Sequence, residues 1–295
     1  MDRTVRSERT GRFGCGAHRK HQRRLRGEWM PAVKSFAVLD AVYKATLKIG
    51  REAPTTPFMH MTPVFRSFPQ GHFVVDTHRH VFRRDHADRA LVIPRKSSDD
   101  NRWTGNAQPS VPAGRGGLYC SVQGQATINE AAYYFQRQRH TRAVAAGNPT
   151  PAPVARTAVL TGKCVVRIRL LGHWLAADLS PRHNPGAIGF LGRIEKDPNV
   201  KAAFRSAGYA SRTVVDLIND SDDCSVARGI GLALDETGHQ ALMVETARQS
   251  ERSPIERGDN LIFFGALEEK IRNLSIDEAY IFPVVGEPER YPVSF

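Results

Sequence analysis

Apolar residues along this chain fall into two alternating periods. Phe36, Leu39, Tyr43 and Leu47 recur at helical spacing and predict a packing helix over 34–49 that Gly50 can end. Val74, Val75, Val81 and Phe82 are strand-like, and Leu118 to Val122 forms a short strand. Gly114-Arg115-Gly116-Gly117 precedes that strand instead of following one, so it reads as a turn and not a dinucleotide fingerprint. Ile128, Ala131, Ala132 and Phe135 predict a helix opened by Thr127, with Glu130 in its first turn. Val166, Ile168 and Leu170 alternate with Arg167 and Arg169 as a half-buried strand does. Cys224 to Leu234 reads as helix, Gly238 breaks it, and Leu242 to Val244 returns as a strand ending at Thr246. Lys96–Gln108 and Gly147–Pro153 are rich in breakers and read as loops. Short strands and helices without regular βαβ alternation, and without an internal repeat, point to an α+β fold.

Composition adds limits. The 295 residues are 41% hydrophobic and 24% charged, as in ordinary globular proteins. No apolar run approaches the roughly 20 residues of a membrane helix, and no apolar leader stands at the N-terminus, so the expectation is a cytoplasmic protein. Cys15, Cys120, Cys164 and Cys224 are scattered without a CxxC pair, which suits free thiols in a reducing compartment. Residues 1 to 27 carry nine Lys or Arg against two acids, more than half of the +12 net charge. Residues 1–29 therefore read as a basic disordered tail, with Met30 an alternative start, and the tail is the one segment suited to nucleic acid. Residues 30–55 read as the packing helix and a linker, and 56–295 as the main domain.

Candidate chemistry lies in an ordered set of residues: Phe82-Arg83, Arg102-Trp103, Leu118-Tyr119, Glu130, and Thr246 within Val244-Glu245-Thr246-Ala247-Arg248. Two arginines can clamp the oxygens of a pyrophosphate in bidentate fashion. A carboxylate can stabilise an oxocarbenium-like ribose cation. Glu130 has a purely structural alternative as well, since Thr127-Ile128-Asn129-Glu130 fits a capping box. Tyr119 could equally be a core residue that ties down its hydroxyl. His78-Arg79-His80 offers a competing pair of imidazoles for a metal, but His173, His183 and His239 do not complete a ligand set at recognisable spacing.

The same order of residues, over roughly 56 to 290, resembles the RES domain family, toxins named for their Arg, Glu and Ser. The eleven-residue step from Tyr119 to Glu130 is the most specific part of the likeness. Val165–Leu170 leading to Asp178-Leu179-Ser180, and Gly258–Phe264, resemble further family segments. The chain departs in having Thr104-Gly105 where the family has Asn-Pro, and Thr246 for its late Ser, with Ser250 and Ser253 as alternative hydroxyls. The resemblance implies an ADP-ribosyltransferase-like core, a small split β-sheet with surrounding helices. It implies NAD as substrate, no required cofactor or metal, and inorganic phosphate as acceptor, which is NAD phosphorylase chemistry. Water or a protein as acceptor would make an NAD hydrolase or an ADP-ribosyltransferase. In this comparison Arg83 and Arg102 hold the pyrophosphate, Tyr119 and Glu130 the nicotinamide ribose, and Thr246 a ribose or phosphate, with Arg84 the alternative to Arg83 and Arg248 a further candidate for the phosphate pocket. An Xre-like antitoxin and a homodimer are the implied protein partners. Metal-dependent hydrolysis through His78 and His80, and non-enzymatic nucleic-acid binding, are the competing classes.

Overall fold

Ser35 opens the first described helix, α1 (Phe36–Ile49), by accepting a hydrogen bond from the Val38 amide at 3.3 Å, which satisfies one of the donors a helix start leaves unpaired. Leu39 and Tyr43 pack as their spacing predicts, with Leu47 at the margin, against Leu232 and Ala233 of a later helix. Phe36 does not join them and is 53% exposed. The buried face is wider than the predicted stripe because Val38, Val42 and Ala45 enter a larger cluster on the adjoining side. Gly50 ends α1 without a left-handed turn: its φ is −58°, and the chain tightens into the 3-10 turn Gly50–Glu52. Space is what requires glycine there, since a Cβ would lie 2.8 Å from Thr237.

The computed structural model describes residues 33–69, 73–76, 81–84, 102–104, 117–124, 126–128, 139–140, 142–149, 163–220, 223–245, 258–265, 274–281 and 289–294. All of these fall within one unit, Pro31–Phe295, and the basic segment 1–29 lies outside them. Eleven strands make the sheet: β1 (Thr55–Phe58), β2 (Pro63–Pro69), β3 (Phe73–Asp76), β4 (Val81–Arg84), β5 (Gly117–Ser121), β6 (Lys163–Leu170), β7 (Trp174–Asp178), β8 (Ala241–Glu245), β9 (Asp259–Phe264), β10 (Leu274–Ile281) and β11 (Glu289–Ser294). Their order is β1-β7-β8-β9-β5-β2-β6-β10-β11-β4-β3. Among the described strands only β7–β8 and β11–β4 pair in parallel. The fold is α+β with surrounding helices, as the sequence pattern predicts. The long strand β6 pairs with β2 on one side and β10 on the other, and so joins the described strands into a single ladder.

Helices α2 (Gly186–Lys196), α3 (Pro198–Ser206), α4 (Val214–Ile218) and α5 (Ser225–Glu236) pack with α1 on one face of this sheet. That face contributes Ala177, Leu242, Val244, Ile262 and Phe264. The opposite face buries Phe58, Val64, Leu118, Ile168, Trp174, Met243 and Phe263 against one another. Trp174 meets Phe263 edge to face at 4.9 Å. A cluster drawn from strands alone, yet shielded from water, requires the sheet to curl over its own face, as a half-barrel does. The helix α5 lies at the centre of the other layer and is buried all round from Ser225 to Asp235, the pattern of a core helix. Gly238, at φ 94°, turns the chain out of it into β8. The close approach of α1 to α5 depends on Gly229, where a Cβ would fall 2.8 Å from the Leu39 carbonyl oxygen.

One buried carboxylate ties the helix starts together. Asp223 accepts from the Lys34 amide at 3.1 Å, the Ser225 amide at 2.8 Å and the Tyr209 hydroxyl at 2.7 Å. Burial and this carboxylate push the Tyr209 hydroxyl up to about 12. Cys120 and Cys224 are buried. Among the described residues no helix is long and apolar enough to cross a membrane.

Two local features differ from the sequence expectation or carry strain. Residue 124 and residues 126–128 are already helical, and the Thr127 amide donates to the Gln123 carbonyl at 3.3 Å. Thr127 is therefore inside its helix and not its N-cap. Its hydroxyl reaches the Phe65 carbonyl instead, at 3.4 Å. Between β1 and β2, Met61 holds a φ of 66°, a region where a Cβ crowds the backbone. Its side chain is largely exposed. Met61→Gly is therefore expected to raise stability by about 0.5–1 kcal/mol, the relief of crowding exceeding the added freedom of the unfolded chain. Urea melts of the two proteins check this, and a lowered midpoint contradicts it.

Candidate active site

The antiparallel pair β5 and β9 sets Tyr119 opposite Ile262 and Ser121 opposite Asn260. Alternation along the strands sends all four side chains to one side of the sheet, and Ile262 identifies it as the face that carries the helices. Asn260 is 1% exposed at an otherwise apolar strand. A buried amide there is costly unless hydrogen-bonded. Its Nδ2 donates to the Tyr119 hydroxyl, and its Oδ1 accepts from Ser121 Oγ at 3.1 Å. The backbone of Tyr119 is held as well, because Arg66 Nη1 donates to its carbonyl oxygen. The ring of Tyr119 is half-buried against the helix-side cluster, which also contains Trp103.

Residues 102–104 are seated on α5. Trp103 is 2% exposed, and a Cβ on Gly231 would lie 2.3 Å from its carbonyl oxygen. The Arg102 side chain is buried, with Nε and Nη2 donating to the Ile218 carbonyl at 3.2 and 2.6 Å. Ile218 is the last residue of α4. A guanidinium there satisfies a carbonyl the helix end leaves open and meets the negative end of its dipole.

Arg83 lies on β4, in register with Ser294 of β11. Four strands, β2, β6, β10 and β11, stand between β4 and β5 in the ladder. Trp103 and Tyr119 thus share a cluster, whereas the strand order does not set Arg83 beside them. Glu130, Thr246, Arg248, Ser250 and Ser253 lie outside the described residues, as do His78 and His80. Among the described residues no group of three His, Cys, Asp or Glu is arranged to hold a metal ion.

A second polar network gathers at the strand ends on the opposite, concave side. Asp259 is fully buried; it accepts from Ser180 Oγ at 3.2 Å and Arg182 Nη2 at 2.8 Å, and pairs with His183 Nε2 at 2.7 Å. Its own amide donates to Gln123 Oε1 at 2.9 Å. Glu245 accepts from the Arg182 amide at 3.2 Å. Asp178 receives the Thr56 hydroxyl at 2.5 Å and the Ser180 amide at 2.9 Å. Together these bonds pin the 180–183 turn to the end of β8. Asp178-Leu179-Ser180 stands out in the sequence, whereas local pattern gives no part to Arg182, His183, Glu245, Asp259 or Asn260. The available signal was an acid or amide at the end of an otherwise apolar strand, as in Asp259-Asn260-Leu261-Ile262-Phe263-Phe264.

The sequence matches no family model, and no curated protein matches it. Among solved structures the chain is similar to one in the crystal structure of the M. tuberculosis MbcT–MbcA toxin–antitoxin complex, at 13% identity and a TM-score of 0.36, covering 83% of this chain and 91% of that one.

Proposed function

We propose that this chain is an NAD-cleaving enzyme of the RES toxin type, with an ADP-ribosyltransferase-like core. The observation that carries the reading is that Trp103 and Tyr119, two of the positions on which the RES resemblance rests, pack against one helix-side cluster. The remaining support is the spacing of Arg83, Tyr119, Glu130 and Thr246 in the sequence.

In this reading Arg83 and Arg102 grip the NAD pyrophosphate. Ile218 fixes the plane of the Arg102 guanidinium beforehand, so little ordering is left for substrate binding. Tyr119 and Glu130 hold the nicotinamide ribose. As the glycosidic bond breaks, its electron pair passes to the pyridinium nitrogen and neutral nicotinamide departs. The Glu130 carboxylate stabilises the positive charge this leaves on the ribose. A phosphate oxygen, oriented by Thr246, then bonds to C1′ and yields ADP-ribose 1-phosphate. No metal enters the scheme. A helical, Xre-like antitoxin covering the site, a homodimer and a cytoplasmic setting belong to the same proposal.

The test is to incubate the purified protein with NAD and a chelator, with and without inorganic phosphate, and to weigh the products. Nicotinamide is expected in the presence of chelator, with ADP-ribose 1-phosphate formed only when phosphate is added. Free ADP-ribose would identify water as acceptor, and ADP-ribosylated protein would identify a transferase. An intact NAD pool with folded protein overturns the reading, and loss of turnover to chelator alone moves it to His78 and His80.

A further inference from the structure

We infer that Asn260, held by Ser121, is a positioning residue that sets the direction of the Tyr119 hydroxyl; as a statement about catalysis this rests on the NAD-cleavage reading above. Three features of the site lead to it. Asn260 and Ser121 are 1% and 2% exposed, so neither is placed for solvation. Their side chains form a short chain of donors, Ser121 Oγ to Asn260 Oδ1 and Asn260 Nδ2 to the Tyr119 oxygen. The strand register then fixes the distances, since Ser121 and Asn260 are directly opposed and Tyr119 lies one same-face step along β5.

The direction follows from what each group can do. An amide nitrogen only donates, so the Tyr119 oxygen accepts from Asn260, and the phenol hydrogen is directed away from the amide. Ser121 donates to the carbonyl end of the amide, which leaves the nitrogen end facing Tyr119. The hydroxyl of Tyr119 is thereby presented as a donor of set direction, the form suited to a ribose oxygen. Reversing the amide or replacing it with a carboxylate draws the phenol hydrogen inward and removes that donor from the substrate side.

Asn260→Asp keeps the shape of the side chain and replaces the donor with an acceptor; Ser121→Ala frees the amide to turn and serves if the first variant folds poorly. Each is expected to lower kcat for NAD cleavage by about 10-fold or more, the scale on which the loss of a partner behind an active group is felt, while KM changes by less than about 2-fold. In a Tyr119→Phe background neither should cost anything further, because the hydroxyl through which both act is gone. Independently of turnover, the Cζ resonance of 13C-labelled Tyr119 should shift in both variants. Equal losses in the Tyr119→Phe background, or an unmoved Cζ resonance, overturn the inference. A wild-type protein inert toward NAD overturns the reaction and the catalytic half of the inference, and the Cζ measurement then decides by itself whether Asn260 orients Tyr119.

Discussion

Glu130→Gln is expected to lower NAD turnover by about 100-fold or more while leaving the thermal midpoint unchanged, the effect of removing a positioned catalytic group. The substitution keeps the size and polarity of the side chain and removes the charge that would stabilise the ribosyl cation. In the sequence Glu130 has a rival role, as the returning partner in a capping box with Thr127. The helix weakens that rival, because it has begun before Thr127, whose amide already bonds to Gln123. Thr127 has no N-cap duty for Glu130 to reciprocate. Turnover and melting of the two proteins, measured together, separate the roles. Near-native turnover in a stable variant would remove Glu130 from the mechanism, and a lowered midpoint with proportionate loss of activity would return it to a structural part.

Gly231→Ala is expected to cost about 3 kcal/mol, the upper end of what overfilling a packed core costs, and to lower the melting point by roughly 6–12 °C for a domain of this size. The added Cβ would meet a backbone oxygen, that of Trp103, at 2.3 Å. A side chain could rotate aside, but this carbonyl cannot, because Trp103 is itself among the most deeply buried residues. The relief available is a shift of residues 102–104 away from α5, which also carries Arg102 off the Ile218 carbonyl. NAD affinity should therefore fall along with stability. Gly189→Ala is the control, at a glycine of α2 whose Cβ would meet nothing within 4 Å. There the same change should stabilise by about 0.5–1 kcal/mol through helix propensity. Equal behaviour of the two variants would show that the Gly231 contact does not seat the 102–104 segment.

Local pattern by itself determined the elements whose burial is one-sided or complete. The alternation of Val166, Ile168 and Leu170 specified β6, the apolar run to Leu234 specified α5, and Gly238 marked its end, because periodicity and backbone strain act over a few residues. The ordered Arg, Tyr and Glu positions were also legible, since they are types and spacings in one dimension. The same pattern assigned nothing to α2, α3 and α4, where Gly186, Gly189, Gly192 and Pro198 dilute the apolar period and helix formation depends on packing onto α1 and the sheet. Tertiary structure alone decided which strands became neighbours. It joined β2, β6 and β10 into one ladder, put four strands between Arg83 and Tyr119, and set Asn260 of β9 against Tyr119 and Ser121 of β5. Pairing over such separations leaves no local periodicity to read, because register is fixed by which faces bury together and not by either strand. Burial did the rest: only in the folded core does an amide such as Asn260, or a carboxylate such as Asp259, require named partners, and that requirement gave ordinary polar residues fixed places.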